Sequence, residues 1–159
     1  MKKGRFSFKV FFIALAIIYV SVILGNLLVI DSLQSGWYHS IRPAITPPDQ
    51  VFQIVWTVIY FLIAGSFTLF YRGSNKKDRT SVISVFVINI ILNMVWSLIF
   101  FGQKLIGLAL FDMTLTGLSI VYLMCLLWKN NRTSALLLIP YLLWISFQWV
   151  INYLCLGNL

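Results

Sequence analysis

The long apolar runs of this 159-residue chain carry polar and aromatic side chains at helical spacing. Asn89, Asn93 and Trp96 follow one another at i, i+4 and i+7, which puts them on one face of a helix. Similar stripes occur in the other runs: Tyr19 and Asn26; Phe52, Trp56 and Tyr60; Asp112, Thr116 and Ser119; Tyr141, Trp144, Gln148 and Asn152. Converging stripes of Trp, Tyr and amide groups predict a cavity for a large planar apolar ligand with a few polar groups.

Each stripe taken alone has a simpler interpretation. Hydrogen bonds between membrane helices average about 0.6 kcal/mol each and hold bundles together without any ligand. Asp112 is the only acid within an apolar run and is therefore a functional candidate. A structural partner, such as a neighbouring hydroxyl or amide, is an equal alternative for it. The occurrence of a stripe in every run is what favours the cavity.

The segment between the first two apolar runs, residues 31–50, contains the densest local pattern. Trp37 and Tyr38 are followed by Pro43, Pro47 and Pro48. Proline fixes φ and removes a backbone donor, so the segment is predicted to be semi-rigid. It is either a preorganised lid over the mouth of a helix bundle or a loop with ordinary interfacial aromatic residues.

Other kinds of chemistry find little support in the residue pattern. His39 is the single histidine, and no Cys or acid stands at ligand spacing from it, so no metal site is predicted. The chain also lacks a Ser or Cys constellation for a hydrolase and a glycine-rich phosphate-binding motif. No cofactor is expected.

The composition indicates which elements must position these stripes. The chain is 60% hydrophobic and 10% charged, whereas a soluble domain is about 45–50% apolar and about 25% charged. Five runs are long enough to cross a bilayer, at about residues 10–30, 51–71, 81–101, 105–128 and 134–156. The prediction is an all-α polytopic membrane protein, one domain over residues 1–159 that forms a bundle of five transmembrane helices. The first run is expected to be retained as a helix, because it is longer than a signal-peptide core.

The net charge of +8 is explained by topology. Ten of the twelve basic residues fall before the first run, between the second and third, or between the fourth and fifth. Only Arg42 and Lys104 fall in the other connections. Since basic residues mark the cytoplasmic side of short loops, the N-terminus is predicted to be cytoplasmic and the C-terminus outside. Nucleic-acid binding is not predicted, because topology already accounts for the charge.

The sequence resembles the TspO/MBR family, the translocator proteins once called peripheral benzodiazepine receptors, as a bacterial-type member. The resemblance rests on separated motifs in the family order: Trp37-Tyr38, Arg42-Pro43, Pro47-Pro48, Trp56 and Tyr60, Asn93-Met94-Val95-Trp96, Phe100-Phe101-Gly102, Ala109-Leu110-Phe111-Asp112, Pro140 to Trp144, and Asn152-Tyr153. These motifs extend from about residue 36 to residue 153. The first helix and the basic N-terminus match only in character.

The resemblance implies a five-helix bundle, usually a homodimer, with a pocket beneath the first loop. Family members bind porphyrins such as protoporphyrin IX, and also isoquinoline and benzodiazepine drugs. The ligand-binding positions that the resemblance implies are Tyr38, Pro47, Trp56, Tyr60, Asn93, Trp96, Trp144, Phe147 and Gln148. The function implied is porphyrin binding by a sensor, scavenger or transport accessory in a bacterial cell membrane.

Two alternative functions follow from the same resemblance. One is an enzyme that degrades protoporphyrin IX with light and oxygen, in which Trp56 and Trp144 would be the catalytic residues. The other is a porphyrin transporter, in which Asp112 would couple protons.

Departures from the family pattern bear on ligand choice. Gln148 stands where the family usually has a small Ala on the pocket wall, so it adds volume and a polar group. Ile45 replaces a common Trp, and Arg42 replaces the usual Lys with the charge kept. No basic residue follows Tyr153, so sterol binding is not predicted.

Overall fold

The regular structure of this chain is helical. The structure is a computed structural model that describes residues 6–74 and 76–158. Within those residues it contains eight α-helices and one π-helical turn and no strand. The helices are α1 (Phe8–Leu27), α2 (Ile30–Gln34), α3 (Trp37–Ile41), α4 (Asp49–Gly73), α5 (Lys76–Ser97), α6 (Ile106–Asn130), α7 (Arg132–Leu136) and α8 (Ile139–Gly157). The π-helical turn, Leu98–Gly102, continues α5.

Five segments of the described chain are long and apolar enough to cross a membrane. They are Phe8–Leu27, Asp49–Tyr71, Asp78–Gly102, Ile106–Asn130 and Arg132–Gly157. The prediction of an all-α protein with five spans is confirmed. The first span ends at Leu27, three residues earlier than predicted, because the backbone leaves helical geometry at Val29 (φ −126°) before α2 begins.

The helices close into a ring around a common interior. α1 packs against α4 and α5, α5 packs against α6, and α6 packs against α8. α4 closes the ring by packing against α7 and α8. Because each helix has two neighbours, one face of each is directed inward, and large apolar side chains on the outer faces are exposed, as lipid contact requires.

The fifth span is interrupted rather than simply kinked. Pro140 falls inside the fifth predicted run, residues 134–156. In the structure α7 ends at Leu136, and α8 begins at Ile139 with Pro140 in its first turn. A missing N–H is harmless there, because first-turn donors have no partner within the helix. Leu138 N–H donates to Ala135 O across the break.

Candidate functional site

A cavity of about 680 Å³ lies inside the ring of helices. It reaches from the middle of the bundle to the end that carries α3. Most of its large side chains are aromatic: Tyr38, Phe52, Trp56, Tyr60, Phe86, Trp96, Phe100, Phe101 and Tyr141. Its volume falls in the range of about 300–1,000 Å³ that is typical of small-molecule sites.

Six of the nine ligand-binding positions inferred from the sequence lie on the cavity wall. They are Tyr38, Trp56, Tyr60, Asn93, Trp96 and Gln148. Pro47, Trp144 and Phe147 lie outside the wall. Trp144 packs behind it, with its ring 5.2 Å from that of Phe52, and Phe147 packs against Trp144.

The rotation of α8 about its axis explains this division. Tyr141 and Gln148 are two turns apart and both face the cavity. Around the helix Trp144 lies about 60° from Tyr141 and about 40° from Gln148, because each residue advances about 100°. The sequence stripe therefore combined residues from two adjacent faces of α8.

Two pairs of nearly parallel aromatic rings line the cavity. Trp56 stacks on Tyr60, with ring centroids 5.4 Å apart and an interplanar angle of 27°. Trp96 stacks on Phe100 at 5.2 Å and 16°. Each pair comes from one helix face, on α4 and on α5 with its π-helical turn. Such pairs offer extended flat surfaces to a planar ligand.

A network of amide, phenol and hydroxyl groups joins α5, α6 and α8 at the cavity wall. Tyr141 Oη donates to Asn89 Oδ1 at 2.7 Å, and Asn89 Nδ2 donates to Ser119 Oγ at 2.7 Å. Asn93 Nδ2 donates to Tyr141 Oη at 2.7 Å and to Asn89 O at 2.9 Å. The amino group of Asn93 is therefore occupied within the protein, and part of the Asn89–Asn93 stripe is interhelical hydrogen bonding, as the simpler interpretation predicts.

Some polar atoms of wall residues are buried without a partner among the described residues. They include Trp96 Nε1, a donor, and Gln148 Oε1, an acceptor. An unpaired buried polar atom costs about 1–3 kcal/mol. These atoms therefore have hydrogen-bonding capacity that the described residues do not use.

The segment between α1 and α4 contributes Tyr38 and His39 to the cavity wall and is held by side-chain contacts. Arg42 Nη1 donates to Asp49 Oδ1 at 2.9 Å, Arg42 Nη2 donates to Pro47 O, and the guanidinium lies 5.8 Å from the centre of the Tyr38 ring. Tyr38 in turn packs on Phe100 and Phe101. Burial raises the pKa of the Tyr38 phenol above its ordinary value, so the ring stays neutral at physiological pH.

The α1 wall of the cavity was predicted only in part: of the stripe Tyr19 and Asn26, Asn26 lines the cavity and Tyr19 does not. Ile18, Ser21, Val22 and Gly25, which the sequence analysis did not name, line it too. Gly25 lies close to Met94 of α5, since a Cβ there would be 3.8 Å from Met94 Cγ. Ser21 and Gly25 are small residues at i and i+4 in a helix of large apolar residues, and that spacing was the available signal.

A family model matches residues 10–156 of the chain, and its description is TspO/MBR family. The chain belongs to the TspO/MBR family. Among curated relatives, the tryptophan-rich protein TspO of Bacillus cereus is 33% identical over 96% of this chain and 95% of its own length. The tryptophan-rich protein TspO of Chlorobaculum tepidum is 31% identical over 75% of this chain and 77% of its own. The translocator protein of Bos taurus is 30% identical over 74% of this chain and 71% of its own.

In this member of the TspO/MBR family, the motifs that carry the resemblance meet at the cavity. Trp56 and Tyr60 come from α4, Asn93 and Trp96 from α5, and Tyr141 from α8, and all five line it. Residues far apart in the sequence thus form one surface. The cavity is the candidate functional site.

Proposed function

We propose that this membrane protein binds porphyrins of the protoporphyrin IX type in the cavity, as a sensor, scavenger or transport accessory. The observation that carries the proposal is the cavity itself, which has about 680 Å³ of space between aromatic faces. A porphyrin is a large, flat, apolar ring with polar groups at its edge. The stacked pairs Trp56–Tyr60 and Trp96–Phe100 are suited to its faces.

The unpartnered polar atoms support the same ligand class. The indole N–H of Trp96 has no acceptor among the described residues. A porphyrin propionate is an acceptor and would remove the cost of that unpaired group. The cavity wall carries one exposed carboxylate, Asp49, which is already paired with Arg42, so a ligand carboxylate meets little repulsion there.

The first prediction concerns Trp56. Trp56→Phe shortens the stacked surface and should weaken protoporphyrin IX binding about 3–10-fold, the equivalent of about 0.5–1.5 kcal/mol. The measurement is a titration of the purified full chain that follows porphyrin absorbance and fluorescence. Trp128→Phe is the matched control, because Trp128 is exposed on the outside of α6. Equal affinities of wild type, Trp56→Phe and Trp128→Phe would contradict the proposed site.

Light-dependent degradation of the porphyrin, with oxygen as the oxidant, is a second candidate. The observation that favours it is the position of the Trp56 indole on the cavity wall. Trp144 lies one ring further away, behind Phe52. If the protein degrades the porphyrin, aerobic illumination should give a product that is no longer formed in Trp56→Phe. If the protein only binds the porphyrin, the porphyrin should bleach at the same rate with wild type, with Trp56→Phe and without protein.

We also infer a homodimer in a bacterial cell membrane, with the N-terminus in the cytoplasm. The family resemblance supports the dimer. The distribution of basic residues supports the orientation: Lys9, Arg79, Lys129 and Arg132 are at one end of the helices, and Arg42 and Lys104 are at the other. Lys2, Lys3 and Arg5, which contribute to the same count, lie outside the described residues.

A further inference from the structure

Four side chains between α6 and α8 have buried oxygen atoms without hydrogen-bond partners among the described residues. The atoms are Asp112 Oδ2, Thr116 Oγ1, Gln148 Oε1 and Asn152 Oδ1. The four residues are only 5%, 2%, 7% and 2% exposed, respectively. Unpaired polar oxygens are expensive inside a membrane protein, and four of them on two neighbouring helices require a common explanation.

The register of the two helices brings the four residues to adjacent levels. Trp149 Nε1 donates to Thr114 Oγ1 at 3.1 Å, and this exposed contact indicates the level of α8 relative to α6, which the packing of the two helices holds. The two helices are antiparallel, so Asp112 and Asn152 lie at similar levels, and so do Thr116 and Gln148. Ala109 and Cys155, one turn further along, belong to the same buried cluster.

All four residues lie on the buried faces of their helices. Asp112 and Thr116 are one turn apart on the buried face of α6, and Gln148 and Asn152 are one turn apart on the buried face of α8. α6 packs directly against α8. Their similar levels and shared burial point to a small polar compartment inside the helix interface, at the side of the ligand cavity that Gln148 and Asn152 line.

We propose that this compartment binds a sodium ion. Three neutral oxygens and one carboxylate oxygen are a ligand set for a hard cation, which prefers oxygen donors. Asp112 takes part in no ion pair among the described residues, so a bound monovalent cation would balance its charge. A water molecule in the ion's shell would accept a hydrogen bond from Asn152 Nδ2, which is also unpartnered.

Other occupants fit the residues less well. A proton on Asp112 would remove the charge but provide one hydrogen for several acceptors. A divalent cation would leave an excess positive charge in a medium of low dielectric constant. Among the described residues no three His, Cys, Asp or Glu side chains come together, so the set does not suit a transition metal.

The test is the thermal unfolding midpoint of the purified full chain, without porphyrin, in NaCl, KCl and choline chloride at constant ionic strength. Sodium should raise the midpoint saturably, by an amount on the order of a few degrees, and choline should not. The response should disappear in Asp112→Asn and be weaker in Thr116→Val. Broadening of the ²³Na resonance by the protein should follow the same order.

The matched control is Thr114→Val, since the Thr114 hydroxyl faces outward and is bonded to Leu110 O and Trp149. It should keep the full sodium response. If Asp112→Asn does not fold, Thr116→Val and Thr114→Val still decide the question. A midpoint that is equal in all three salts, or a sodium response equally large in Thr116→Val and Thr114→Val, would overturn the proposal. Neither outcome depends on porphyrin binding.

Discussion

Gln148 has the least conventional environment of the cavity residues. It is buried, it lines the cavity, and its amide oxygen lacks a partner among the described residues. Its neighbour on the same face, Tyr141, is by contrast satisfied by Asn89 and Asn93. Two side chains on one helix face thus differ: Tyr141 helps to hold the bundle together, whereas Gln148 has unused hydrogen-bonding capacity.

Replacement of Gln148 should change ligand preference. Gln148→Ala enlarges the cavity and removes an amide that a purely aromatic ligand cannot satisfy. Isoquinoline binding should therefore strengthen about 10-fold, the equivalent of about 1.4 kcal/mol. Competition titration against a labelled isoquinoline measures the effect. Ser146→Ala is the control, because Ser146 is on the exposed side of α8 and bonds only Leu142 O in the described structure. Equal affinity in both variants would show that the cavity is not limited by Gln148.

At the scale of elements, the connection from α1 to α4 is more ordered than its length suggests. It contains two short helices, and Arg42 links Tyr38, Pro47 and Asp49. Asn158 Nδ2 donates to Ile41 O at 3.1 Å and so attaches the end of α8 to α3. These contacts favour the lid interpretation over that of a loop with interfacial aromatics.

The lid interpretation predicts a kinetic effect. Arg42→Ala removes the links within the segment and should speed porphyrin dissociation about 2–5-fold, since a partly exposed ion pair is worth up to about 1 kcal/mol. Stopped-flow displacement measures the rate. Lys129→Ala, at the opposite end of the bundle, should leave it unchanged. A dissociation rate that is the same in Arg42→Ala and wild type would favour the other interpretation.

At the scale of the whole molecule, the arrangement of charge predicts the orientation in the membrane. Ser40 lies in α3, at the end of the helix bundle to which the cavity extends. Thr133 lies in α7, at the opposite end of the bundle. In a background without Cys125 and Cys155, a cysteine at position 40 should react with an impermeant thiol reagent added outside intact cells. A cysteine at position 133 should react only after the membrane is opened. The reverse pattern would show that the N-terminus is outside.

Several features of this protein could be determined from the sequence alone. The number of spans, their helical type and the presence of a polar or aromatic face on each were predicted. These are local properties, because hydropathy over about 20 residues and the 3.6-residue period are written into adjacent positions. The family motifs likewise indicated Trp56, Tyr60, Asn93 and Trp96 before their common location was known.

Only the tertiary structure decided which part of each face meets the cavity. The rotation of a helix about its axis and its level relative to a neighbour are set by packing between segments far apart in the chain. That is why Trp144 packs behind Phe52, why α1 contributes a wall with Ser21 and Gly25, and why Pro140 begins a helix. The level of α6 relative to α8 also depends on contacts between the two helices and not on either stripe alone.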